Sequence, residues 1–133
     1  MQFRTKVTSG FQQPDIEHNS DSVYVRYNFV KTEVPATETE PARVVYTYDE
    51  IFMSEDEYND IRVGRFSGEW TDVLRSIERA YLYDFADKMI MKFSTDAEDE
   101  AKRKLWVDYK AAVRATQDLP GYPVNVTYPD LPE

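Results

Sequence analysis

The apolar residues of this chain change period near Met53, and that change does most to restrict its fold. Val23, Val25, Tyr27 and Phe29 alternate with Tyr24, Arg26 and Asn28, the two-residue period of a strand rich in aromatic and β-branched side chains. Arg43 to Met53 repeats the pattern, with Val45, Thr47 and Asp49 on one face and Val44, Tyr46 and Tyr48 on the other. Phe3–Thr8 is a third, shorter candidate. Gly10, Pro14 and Asp15 mark the loop after it, and the polar segment Lys31 to Ala42, with two prolines, reads as an exposed loop. Residues 1–53 are therefore expected to form a three-stranded antiparallel meander. His18 falls in the polar run IEHNSDS, which reads as loop, and Thr37 to Glu40 as a solvated hairpin tip.

Beyond Met53 the period is helical. Ser54 and Glu57 form a capping box, Met53 and Tyr58 suit a hydrophobic staple, and Gly64 is placed to end the helix. A longer helix is predicted from about Gly68 to Phe93, with Trp70, Val73, Leu74, Ile77, Tyr81, Phe85 and Met89 on one stripe. Thr95 and Glu98 predict a second capping box. Acids at 96 and 98–100 precede the bases Lys102, Arg103 and Lys104, the order that the helix dipole favours. Ala101, Leu105, Tyr109, Ala112 and Val113 are the expected buried face, and the short link at Phe93–Thr95 favours an antiparallel helix pair. The expected class is α+β: a sheet over 1–53, a helical region over 54–118 packed on or beside it, and an extended tail over 119–133, as one compact unit.

Charge and composition remove several functions. The net charge is −9 and no basic stripe is present, so phosphate backbones and anionic membranes would repel the chain. Without cysteine there is no disulfide or thiolate metal site. No apolar run approaches the ~20 residues that span a bilayer. The opening MQFRTKVTSGF lacks a signal-peptide core, so a cytoplasmic start is expected. Glycine-rich phosphate loops, nucleophile elbows and HExxH are absent. The acidic clusters at 54–57 and 96–100 sit at expected helix starts, where dipole compensation explains them. No catalytic, metal or cofactor residue is predicted, and the chain reads as a non-enzyme.

The last segment, WVDYKAAVRATQDLPGYPVNVTYPDLP, then stands out. Pro120 and Pro123 forbid helix, Gly121 permits a positive φ, and Val124, Val126 and Tyr128 alternate with Asn125 and Thr127 in a strand-like or polyproline-like ribbon. Folded back, the ribbon would cap the helix pair with Tyr122 on Tyr109 or Trp106. Turned outward, it would augment a partner's sheet or enter its groove.

Trp106-x-x-Tyr109-Lys110-x-x-Val113-Arg114, followed by Pro120-Gly121-Tyr122-Pro123-x-x-Val126-x-Tyr128-Pro129-x-x-Pro132, resembles the C-terminal motif of small tail-assembly proteins of tailed bacteriophages. That motif commonly reads W-x-x-Y-R-x-x-L-R, then G-F-P-x-x-V-x-W-P-x-x-P. Lys110, Val113, Tyr122 and Tyr128 depart from it conservatively. The resemblance covers about a fifth of the chain. It implies a chaperone or accessory factor, active in the host cytoplasm, that binds a tail-fibre or baseplate protein. The alternative is a permanent subunit of the virion, for which the exposed aromatics favour symmetric oligomers. The expected partner-binding residues are Trp106, Tyr109, Arg114, Tyr122, Pro123, Tyr128 and Pro129: rings as anchors, Arg114 as a planar donor, prolines as a pre-extended backbone.

Overall fold

Asp49 shapes the sheet. The computed structural model describes residues 1–133. In it Asp49 lies on the central strand β4 (Arg43–Ser54), between bulges in both neighbours, β1 (Gln2–Ser9) and β3 (Ser22–Val34). Lys6 and Asn28, one in each bulge, take φ of 55°. The Lys6 amide donates to Asp49 Oδ1 at 3.1 Å and Asn28 Nδ2 to Oδ2 at 2.9 Å. One carboxylate thus serves two breaks in the ladder, and paired bulges increase the local twist. The Asn28 hydrogen bond, then that of Lys6, holds the Asp49 carboxyl below its ordinary pKa.

The four strands are antiparallel in the order β1-β4-β3-β2, with β2 spanning Ile16–His18. The α+β class is as expected, with two corrections to the meander. The first strand pairs with the last rather than with its sequence neighbour, and a short strand occupies the run read as loop. β3 also continues through Lys31–Val34, which pair with Arg43–Tyr46, so the loop is shorter than expected. His18 Nδ1 lies 3.1 Å from Glu55 Oε2, and its ring meets Tyr58 edge-on at 5.0 Å.

Each face of the sheet has its own filling. Val23 and Val25 stand opposite Met53 and Ile51, and all four are buried. On the other face a ladder of charge crosses all four strands. Arg4 Nη1 lies 3.4 Å from Glu50, Arg26 Nε donates to Glu50 at 2.8 Å, and Arg26 Nη1 to Glu17 at 2.7 Å. Arg26 and Glu50 are buried, with the rings of Tyr24 and Tyr48 against the guanidinium.

α1 (Glu55–Arg62) begins with the expected capping box: Glu57 N–H donates to Ser54 Oγ and Ser54 N–H to Glu57 Oε1, each at 3.1 Å. It ends at Gly64, φ 74°, in a Schellman arrangement of Arg65 N–H to Asp60 O at 2.8 Å and Gly64 N–H to Ile61 O at 3.2 Å. The chain divides into two compact units, Met1–Asn59 and Asp60–Glu133, so the division falls within α1.

In the second unit α2 (Asp72–Lys92) and α3 (Glu100–Ala115) form an antiparallel hairpin, with Asp87 on Lys110 and Phe93 beside Lys102. α2 starts later than expected, because the Thr71 hydroxyl accepts from Leu74 N–H and leaves Trp70 outside the helix. Asp96 rather than Thr95 caps the short 3-10 turn ahead of α3, accepting from Glu98 N–H at 3.0 Å. The buried stripe of α3 is Trp106, Tyr109, Val113 and then Thr116. Leu105, placed inside by the sequence reading, is 50% exposed, and Ala101 and Ala112 are exposed too. The stripe takes the indole and turns Leu105 outward.

Candidate partner-binding surface

The first two turns of α2 bury Leu74 and Ile77, and with them Arg75, Glu78 and Arg79. Three charges in an interior need partners there, since an unpaired buried charge costs several kcal/mol or more. They find them in the C-terminal tail. Arg75 donates from Nε to Pro123 O at 2.8 Å, from Nη2 to Val124 O at 3.1 Å, and from Nη1 to Glu78 Oε2 at 2.8 Å. Its guanidinium also stacks 3.7 Å from the Trp70 ring centroid. Tyr128 donates to the same Glu78 oxygen at 2.9 Å. Tyr122 donates to Asp72 Oδ1 and accepts from Arg79 Nη1.

Local chain chemistry delivers these groups. Leu119–Asn125 is a compact turn, closed by Tyr122 N–H to Leu119 O at 3.3 Å and Asn125 N–H to Gly121 O at 2.9 Å. Gly121 takes φ of 88°, and the Tyr122–Pro123 peptide is cis. Past Asn125 the tail makes no backbone–backbone hydrogen bond, so side chains fasten it. Burial, then the hydrogen bond to Glu78 and that carboxylate's charge, pushes the Tyr128 phenol far above its ordinary pKa. Burial and the bond to Asp72 raise that of Tyr122, with Arg79 opposing.

The expected binding residues do not form one patch. Trp106 and Tyr109 are only 6% and 5% exposed and build the hairpin core with Ala86 and Val113. Their rings are packed inside the unit, which corrects their assignment as outward anchors. Tyr128 is half-buried against that same core, and Tyr122, Pro123 and Pro129 are half-buried along the tail. Tyr122 meets Arg79 and Asp72 rather than Tyr109 or Trp106. Arg114 is exposed on α3.

Two depressions result. A cleft of about 640 Å³ runs between the tail and α2, lined by Trp70, Arg75, Glu78, Tyr81, Tyr128 and Pro129 among others. A groove of about 560 Å³ lies between α2 and α3 and includes Arg114. Sequence reasoning missed Asp72, Arg75, Glu78 and Arg79, the groups that hold the tail. The available signal was the run Val73–Ala80, in which charges interleave with apolar residues so closely that no separate polar face remains.

No family model, curated protein or solved structure matches this chain. No helix is long and apolar enough to cross a membrane. The arrangement comprises an ordered tail with Val124 and Leu131 exposed, a cleft beside it lined by Arg75 and Glu78, and a separate groove lined in part by Arg114.

Proposed function

We propose that this protein is a non-enzymatic assembly factor of bacteriophage tails that binds a fibre or baseplate protein in the host cytoplasm. One observation carries the reading. The segment with the tail-assembly-like motif is a strap already fastened by Arg75, Glu78, Arg79 and Asp72, with Val124 and Leu131 left 59% and 54% exposed. A segment ordered before it meets a partner has little conformational entropy left to lose on binding. Its outward apolar residues, with Pro129 between them, are then the contact surface, while Trp106 and Tyr109 support it from below.

The test is capture of tail proteins by the purified chain. Truncation after Gln117 should abolish capture. It also strips partners from buried charges, so a second variant, Val124→Asp with Leu131→Asp, changes exposed positions and leaves the clamp whole. That variant should weaken capture about tenfold or more, and undiminished capture would remove the tail from the mechanism. Mass spectrometry of finished particles should find the protein missing. Stoichiometric copies there would make it a permanent structural subunit instead.

A further inference from the structure

We infer that the groove between α2 and α3 seats an amphipathic α-helix of the partner, two to three turns long, with an acidic side chain set against Arg114. The inference rests on the partner-binding reading and names the chemistry of that partner at a second place on the helical unit.

Tyr83 and Ile90 from α2 and Val107 and Ala111 from α3 supply the apolar lining of the groove, on either side of the Asp87–Lys110 ion pair, with Lys110 Nζ 5.6 Å from the Tyr83 ring centroid. Val107 is 40% exposed, and Ala111 is exposed as well. Tyr83 to Ile90 and Val107 to Arg114 each span seven steps, about 10 Å of helix, which fits two turns of a third helix laid along the pair. An extended segment would fit poorly. Both walls are α-helices whose backbone groups are satisfied internally, so a strand pressed between them would bury amides with nothing to bond. A helix arrives with its own backbone paired and packs ridge into groove.

The charges select the partner's flank. Four of the five bases on α3 already have carboxylates: Lys102 with Asp99 at 3.2 Å, Arg103 with Glu100 at 2.7 Å, Lys104 with Asp108 at 2.7 Å and Lys110 with Asp87 at 2.6 Å. The fifth, Arg114, has no carboxylate within ion-pair distance, although the chain holds 25 acids and Asp118 lies one turn on. The helix dipole favours a base near a C-terminus, and the exposed Arg114 guanidinium stands solvated beside the groove. A carboxylate on a docked helix would meet that planar group in two-point contact. Lys110 and Asp87 tie the two helices together, leaving Arg114 as the contact that chooses.

Three synthetic 14-residue peptides test this on the ¹⁵N-labelled full chain: a stapled helix with a leucine stripe flanked by glutamates, the same helix with lysines for glutamates, and the acidic peptide unstapled with a central proline. The acidic helix should shift the amides of Val107, Ala111 and Arg114 and bind at least about tenfold tighter than the lysine helix. Arg114→Glu should reverse that preference, and Ala111→Arg, an exposed change, should abolish binding of both. Equal affinity for the two helices, equal binding of the proline peptide, or sedimentation of the free chain as a dimer that hides these amides would overturn the inference. Wild-type capture of tail proteins by the Ala111→Arg chain would also overturn it while leaving the assembly-factor reading intact, whereas undiminished capture by the tail variants removes the tail from the mechanism and leaves the groove untouched.

Discussion

Both compact units bury arginine against carboxylate, and they use it differently. In the sheet unit Arg26 and Glu50 sit within a ladder whose outer members, Arg4 and Glu17, reach solvent. The ladder links side chains across strands that are already joined by backbone hydrogen bonds, and its one contact to a backbone carbonyl is the long one from Arg26 Nη1 to Pro14 O at 3.3 Å. In the helical unit Arg75 and Glu78 end on two carbonyls and a phenol of a segment with no ladder of its own. The first arrangement decorates structure that exists without it; the second makes an irregular tail part of the fold.

That contrast predicts its largest effect from paired substitutions. Replacing a buried ion pair by apolar residues of similar size is often neutral. The groups that Arg26→Met with Glu50→Leu would leave behind, Arg4 and Glu17, reach solvent while Pro14 O loses one long contact, so the pair should cost about 1 kcal/mol. Arg75→Met with Glu78→Leu should cost about 3 kcal/mol or more, because Pro123 O, Val124 O and the Tyr128 hydroxyl lose their partners at roughly 1–3 kcal/mol each. Chemical denaturation reads both, and equal costs would break the distinction.

A smaller effect follows from one phenol. Tyr128→Phe should cost about 2 kcal/mol, the range for a hydrogen bond to a charged group, and should alter the alkaline limb of stability. Burial first, then the Glu78 contact, raises the folded pKa of Tyr128 above its unfolded value. Its contribution is therefore complete below about pH 10, the unfolded value, and is lost as pH rises toward the folded one. Tyr109 and Tyr122 shift in the same direction, against Tyr27 alone in the sheet unit. Alkali should thus weaken the helical unit first, and Tyr128→Phe should flatten that decline in a pH series of denaturation curves.

Gly64→Ala should cost about 1 kcal/mol or somewhat more. The residue sits at φ 74°, and an added Cβ would stand 2.8 Å from Glu78 Oε1, pressing on the carboxylate that Tyr128 and Arg75 share. Thermal unfolding measures it. The smallest effect belongs to Arg114→Glu, a change on an exposed rim with no intramolecular ion pair. It should move stability by less than about 0.5 kcal/mol, so loss of binding in that variant would report on recognition rather than folding.

The legible parts of the sequence were local. The Ser54–Glu57 box, the Gly64 terminator, the alternation from Arg43 and the Gly121 turn are each set within a few residues, and each stands where it was expected. The parts that failed depend on distance. Pairing of β1 with β4 joins residues some 40 positions apart, and alternation within a strand does not name its neighbour. Arg75 reads as a surface base on α2 until the carbonyls of Pro123 and Val124, 48 and 49 positions on, are brought to it. The α3 stripe shows a finer limit: Leu105 and Trp106 are adjacent, a hairpin can bury either, and the larger ring with Phe85 and Tyr109 at its edges takes the interior. Among the expected binding residues, the aromatic-proline motif was visible as a unit, but hairpin packing buries Trp106 and Tyr109, while the distant charges fix Tyr122 and Tyr128.

Fastening of the tail to α2 in solution is tested most directly by hydrogen exchange at the Arg75 Nε–H, read by NMR with NOEs from the Tyr128 ring. A slowly exchanging Nε–H and NOEs from Tyr128 to the Ala86 and Val113 methyls are predicted. Rapid exchange, with random-coil shifts across residues 122–132, would contradict it.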